Sequence, residues 1–222
     1  MRVPLSWLKK YVPVSLPPEE LAHRLTMAGL EVGDVKWIGE DWDPEKIVVG
    51  HGLKVEPHPN ADRLTLPTVD LGNGLTQTVV CGGPNLATGQ KIAFASEGAR
   101  LVSNKSDKAE ALKATSIRGV PSAGMVCSAR ELGLGDDHDG VLVLDDDAPV
   151  GMSLVDYLGD AVLDIDVTPN RPDCLSVLGV AHEVAALTRE HVAEPNFSYP
   201  QGDIALEDLT TIEIADSDLC SR

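Results

Sequence analysis

The chain has 222 residues, 43% of them hydrophobic, and sets 18 Lys and Arg against 35 Asp and Glu for a formal net charge of −17. That apolar content suits a packed core and excludes wholesale disorder, a collagen-like repeat and a disulfide scaffold. No apolar run reaches the ~18 residues of a membrane span, and the opening MRVPLSWLKKYVP lacks the apolar stretch of a signal peptide.

The charge is unevenly placed. Residues 45–118 hold nine basic and seven acidic groups, net +2, whereas 119–175 hold two and twelve and 176–222 two and nine. A polyanion is drawn to the first of these segments and repelled by the others. The acidic half also reads as a solvated face that favours solubility. Cys81, Cys127, Cys174 and Cys220 are spaced 46, 47 and 46 residues apart, with no C-x-x-C pair. This speaks against zinc and fits unpaired thiols in a reducing, cytoplasmic setting.

Taken in order, the first 30 residues predict two short helices, one capped by Ser6 and one entered through Ser15 and Pro17-Pro18-Glu19-Glu20. Gly33 to Pro44 reads as a linker. From Glu45 the pattern becomes strands and turns: Ile47–Val55, Arg63–Leu71 with Pro67 implying an edge or bulge, then Gly72-Asn73-Gly74 turning into Leu75–Cys81. Lys91–Ser96, Leu112–Arg118 and Gly124–Cys127 are further strands, and Ser128–Leu132 a short helix. About five turn-punctuated strands suggest a small closed barrel. Ser153–Leu158 then predicts a helix and Leu163–Val167 a strand. A rigid turn follows, ending in Asp173 as a cap for an apolar helix from Leu175 to Leu187. Glu194 to Asp203 reads as linker and Thr211–Ala215 as a lone strand, so the chain is expected to stop inside a further domain.

The residues carry a family resemblance. VPLSWLKKYV (Val3–Val12), PEELAHRLTMAGLEV (Pro18–Val32) and DIDVTPNRPDCLSVLGVAHEVAAL (Asp164–Leu187) resemble the N-terminal part of the β subunit of bacterial phenylalanyl-tRNA synthetases. VGHGLKVEPHPNADRL (Val49–Leu64), VVCGGPNLATGQKIAFASEGARL (Val79–Leu101) and KATSIRGVPSAGMVCSARELGL (Lys113–Leu134) resemble the EMAP-type tRNA-binding OB-fold module. The resemblance implies an α+β chain: a five-stranded OB-fold barrel, residues 41–151, inserted in a small helical, winged-helix-like domain made of 1–40 and 152–195. Residues 196–222 would be linker and the truncated start of an editing-type domain. It also implies a heterotetramer with a catalytic α subunit and a second β subunit, which joins phenylalanine to its tRNA with ATP and magnesium. The present segment would then hold no catalytic residue and no cofactor or metal of its own. Two positions depart from the family pattern: His182 stands where Arg is usual, and Pro67 where a strand residue is usual.

The candidate RNA-binding residues are Lys54, His58, Asn60, Arg63, Lys91, Arg100, Lys113, Arg118, Ser122 and Met125. For the His58-Pro59-Asn60-Ala61-Asp62 loop two readings stand. One is a rigid turn whose Asn and Asp bond back to the backbone; the other presents His58 and Arg63 to a phosphate. Ser122-Ala123-Gly124-Met125 likewise reads either as small residues where strands cross closely or as part of a nucleic-acid face. If half the cations share a side, about four phosphates are neutralised, a modest and salt-sensitive affinity. Phe94 is the one aromatic in residues 45–150, so stacking adds little and contact is expected to be weak and shape-based. A free-standing RNA-binding or chaperone module and a purely structural module are the competing readings.

Overall fold

The fold is that of a computed structural model, which describes residues 1–103, 108–198, 202, 204–216, 218 and 219. Lys105 and Cys220 lie outside them. The chain opens with β1 (Arg2–Pro4), the single turn α1 (Leu5–Leu8) and α2 (Pro18–Met27). Pro18 takes the first helical position, where its missing N–H costs nothing, and Glu19 and Glu20 face the positive end of α2. Ser6 and Ser15 do not cap these helices, because Pro4 and Pro17 hold the cap positions. The Ser6 hydroxyl instead donates to Asp160 Oδ2 at 2.6 Å. Where a linker is expected the chain forms β2 (Glu31–Ile38).

The middle of the chain supplies β3 (Ile47–Pro57), β4 (Thr65–Asp70), β5 (Thr76–Thr78), β6 (Lys91–Ser96), β7 (Arg100–Val102), β8 (Ala109–Ala111), β9 (Thr115–Ile117), β10 (Val120–Ser122), β11 (Gly124–Val126) and β12 (Val143–Leu144). Residues 128–132 form turns, not a helix. The chain ends with α3 (Leu154–Leu158), β13 (Asp160–Asp166), α4 (Val177–Thr188) and α5 (Leu206–Leu209). The cap of α4 is Ser176, whose hydroxyl accepts from Gly179 N–H; Asp173 lies in a preceding 3-10 turn. Residues 211–215 form no strand among the described residues and lie exposed.

β13 runs between β1 and β2 in an antiparallel three-stranded sheet. Its Ala161, Leu163 and Ile165 are buried in one core with Leu21 and Leu25 of α2 and Val180, Ala181 and Val184 of α4. Each fully buried aliphatic side chain there contributes about 1.5–3 kcal/mol. The first and last segments are joined through a sheet on which α2 and α4 pack, so helix and strand both contribute.

The second sheet follows the path β11-β6-β3-β4-β5, with β12 also on β6. It is a curled half-barrel, mostly β, and its ladder does not close on itself as the expected barrel would. β6 is buried on both faces, and β3 is covered in its first half. Phe94, Ile92, Val69 and Val126 pack on one side, and Ile47, Val49, Ala93 and Ala95 pack on the other with Trp42 and Leu154. Pro67 sits inside the sheet on β4, opposite Val55. Its carbonyl accepts from Val79 N–H at 3.1 Å but it has no N–H to return, and the β4–β5 ladder ends at Thr68 and Thr78. Gly124 is required by close approach: a Cβ there would lie 2.6 Å from Phe94 Cζ.

The gap between the two ends of the half-barrel is spanned by a side chain. Buried Ser122 Oγ accepts from Val80 N–H at 3.1 Å and donates to the Gly124 carbonyl at 3.0 Å. Ser122→Ala strands both backbone groups in the interior. The expected cost is about 1–3 kcal/mol, read as a lower urea midpoint at unchanged slope. A midpoint equal to that of the wild type would show the seam is held elsewhere.

Candidate nucleic-acid interface

The structure gathers part of the candidate set at one junction. The loop after β3 is closed by His58 N–H donating to the Leu64 carbonyl at 3.1 Å. It docks on the β9–β10 hairpin. Asn60 Nδ2 donates to the Arg118 carbonyl at 3.0 Å, and His58 Nε2 lies 3.2 Å from the Ile117 carbonyl. Asn60 N–H donates to His58 Nδ1 at 3.0 Å. A backbone N–H only donates and a carbonyl only accepts, so Nδ1 serves as the acceptor and Nε2 as the donor in this arrangement. His58 is buried and both its nitrogens are engaged, so it is removed from direct contact with a phosphate. Ser122 is removed likewise by its seam role.

The exposed members of the junction are Asn60, Arg63 and Arg118. Lys113 is exposed on the approach to β9, beside Ala114, whose N–H donates to Glu97 Oε1 at 3.3 Å. Among the described residues no ion pair is seen for Arg63, Lys113 or Arg118. Lys54 is exposed on β3 but paired with Glu56 at 2.8 Å. Met125 on β11 is half-buried, opposite Ala95.

Two candidates stand apart. Lys91 is half-buried and pairs with His51 on β3, and six residues of strand separate His51 from Pro57, roughly 20 Å. One phosphate therefore cannot meet both Lys91 and the docked loop. Arg100 lies on β7 and lines a cavity of about 300 Å³ with Trp37, Trp42 and Leu134. Sequence reasoning did not single out the Ile117 and Arg118 carbonyls as the anchors of the loop. The Arg118-Gly119 pair was the available signal, since both take left-handed φ, 51° and 90°.

Residues 47–153, which include the half-barrel and this junction, match the family model tRNA_bind, "Putative tRNA binding domain". The chain is homologous over its whole length to a region of phenylalanine–tRNA ligase beta subunits. It is 46% identical to that of Dehalococcoides mccartyi over 224 residues, covering 100% of this chain and 27% of the relative. It is 45% identical to that of Salinibacter ruber over 234 residues, 100% and 28%, and 43% identical to that of Burkholderia lata over 225 residues, 100% and 27%. The chain thus spans about a quarter of the length of the curated relatives it matches. A solved MetRS related protein from Pyrococcus horikoshii is 26% identical, covering 49% of this chain and 88% of that one, with a TM-score of 0.35. Among the described residues no helix is long and apolar enough to cross a membrane.

The one cluster of three metal-capable side chains among the described residues is Asp173, Cys174 and Glu183. It does not fit magnesium, which takes oxygen ligands and water. Arg171 already supplies the cation: its Nη2 donates to Asp173 Oδ2 at 2.8 Å, Glu183 Oε1 at 2.6 Å and Cys174 Sγ at 3.1 Å. Desolvation, then the hydrogen bond with Asp173, pushes the Cys174 thiol up to about 11, so it stays protonated. His182 is exposed beside this brace, with no ion pair seen among the described residues. The Arg171 hydrogen bonds draw the Asp173 carboxyl from 3.8 down to about 2. A group depressed in the fold stabilises above its unfolded value and loses that effect as pH falls through its folded value. The stability gap between wild type and Asp173→Asn is therefore expected to be full above pH 3.8 and to close towards pH 2. A gap constant across an acid urea series would remove the brace from the account.

Proposed function

We propose that this chain is a tRNA-contacting and scaffolding region of a cytoplasmic phenylalanine–tRNA ligase beta subunit. The complete enzyme would join phenylalanine to tRNA with ATP and magnesium, in a heterotetramer with a catalytic α subunit and a second β subunit. In this reading residues 41–151 are an OB-like half-barrel inserted between 1–40 and 152–195, and 196–222 lead into a further domain. The separate cores support that division: one draws on residues 3–30 and 161–185, the others on 42–154. No residue here is assigned a catalytic step.

The observation that carries the tRNA reading is the set of exposed cations Arg63, Lys113 and Arg118, with no ion pair among the described residues, inside the segment that matches the tRNA-binding family. Phe94 is fully buried, so no aromatic platform is on offer within 47–153 and the contact is electrostatic and shape-based. With Lys54 the group numbers four cations. Four phosphate contacts give a log–log salt slope near −3, a loss of roughly 100-fold between ~50 and ~200 mM salt. Titrating the 222-residue chain with a folded tRNA across that range tests it. A steep decline is expected. Absence of binding at the lower salt leaves scaffolding as the whole role, and salt-insensitive binding overturns the electrostatic account.

A further inference from the structure

The β9–β10 hairpin is a two-stranded ribbon of three residue pairs that joins no other sheet. Such a ribbon is marginal in water. Its tip is also strained, since Arg118 holds a left-handed φ of 51° that a side chain disfavours. The ladder alone does not account for a fixed tip. The groups that over-determine it lie 58 and 59 residues earlier in the chain: Asn60 Nδ2 on the Arg118 carbonyl and His58 Nε2 on the Ile117 carbonyl. The bond from Asn60 N–H to His58 Nδ1 fixes which ring nitrogen faces the hairpin. Gly119 completes the fit, because a Cβ there would lie 3.7 Å from Asn60 Nδ2, in ordinary contact, at a φ that only glycine takes freely.

We infer that His58 and Asn60 are positioning residues: they hold the hairpin tip so that Arg118, on the same docked unit as Arg63, meets the backbone phosphates of a folded RNA without ordering cost at binding. The inference rests on the tRNA reading above and adds the device that presents the cation. Direct RNA contact by Asn60 is the alternative, and the two differ in coupling. If Asn60 acts through Arg118, removing it after Arg118 is gone costs nothing more; if it binds RNA itself, the losses add.

Two measurements on the 222-residue chain decide. The first needs no RNA: amide exchange in wild type and Asn60→Ala. Protection across Thr115–Ser122 should fall while β3 and β6 are unchanged. Equal protection in the two proteins overturns the inference. The second is a cycle of Asn60→Ala, Arg118→Ala and the double variant, titrated with a folded tRNA from ~50 to ~200 mM salt. Each single change should flatten the log–log slope by about 0.7–0.9, the share of one phosphate, and the double should match Arg118→Ala. Additive losses, or an Asn60→Ala loss at unchanged slope, overturn it. Should Asn60→Ala fail to fold, Asn60→Ser, which keeps a polar group too short to reach the carbonyl, takes its place in both arms. Wild type that binds no tRNA overturns the tRNA reading, while the exchange arm still decides the positioning.

Discussion

The pairing of Asp160–Asp166 with the start of the chain is the constraint on which the remaining structure depends. Arg2 lies opposite Asp164, and Ile38 opposite Asp160. Bringing such distant residues together costs loop-closure entropy, although that cost grows only with the logarithm of loop length. The half-barrel reduces it further, because its own ends are already held together. Val48 bridges Ser153, Val49 N–H donates to the Met152 carbonyl, and Gly151 N–H returns to Val49. Once the half-barrel has folded, closing the three-stranded sheet needs only nine residues on one side and six on the other, counted from the Ile38–Asp160 pair to the Val48–Ser153 bridge. Trp42 strengthens the joint by donating its buried Nε1–H to the Leu132 carbonyl at 3.0 Å.

Legibility in the sequence follows from how far each element obeys its own period. Lys91–Ser96 is apolar on both faces and bounded by turns, and its limits are as expected. The Pro18-Glu19-Glu20 helix start is likewise local chemistry. Glu31–Ile38 is different. Val32 is paired with Ile165 and Val35 with Leu163, and these two pack against the core three positions apart, while Trp37 is exposed. Gly33 is the extra residue at the register shift, and it breaks the two-residue alternation by which a strand is read. β3 carries a similar irregularity, its pairing skipping Leu53 between Gly52 and Lys54, yet it is legible as the strand expected from Ile47 to Val55 because its first half is apolar and β-branched. Pro67 was legible as an anomaly but not in its consequence, since its effect falls on where β5 ends and not on whether β4 exists.

The candidate site was legible by residue type and illegible by direction. His58, Asn60 and Ser122 have side chains that serve equally to bind a ligand or to satisfy a backbone group. Their positions in the sequence give no sign of which distant carbonyl or N–H they meet, because Val80, Ile117 and Arg118 are 42 to 59 residues away. What decides is burial. A buried backbone N–H or carbonyl must be paired, and this places Ser122 at the open seam and turns His58 inward. Asn60 and the Arg118 carbonyl it serves are exposed, so there the hydrogen bond docks the loop on the hairpin and does not satisfy a buried group.

That division bears on how an acidic protein could approach a polyanion. The formal charge of −17 opposes RNA at long range, but its reach is set by screening: about 8 Å at physiological ionic strength and about 30 Å at 0.01 M. Two opposing salt effects therefore act on the proposed contact. Raising salt weakens Arg63, Lys113 and Arg118 by returning counterions to the phosphates, and at the same time mutes repulsion from the acidic residues 119–175. At very low salt the repulsion extends over the whole molecule, so the gain from counterion release is partly cancelled and the log–log plot bends. Near physiological salt the charges within about a Debye length of the junction dominate, and the docked loop and hairpin tip themselves carry Arg63 and Arg118 against Asp62. A cationic site on an acidic chain works best when its few charges are held in place, because flexible side chains spread over the surface would spend most of their time in the field of the carboxylates.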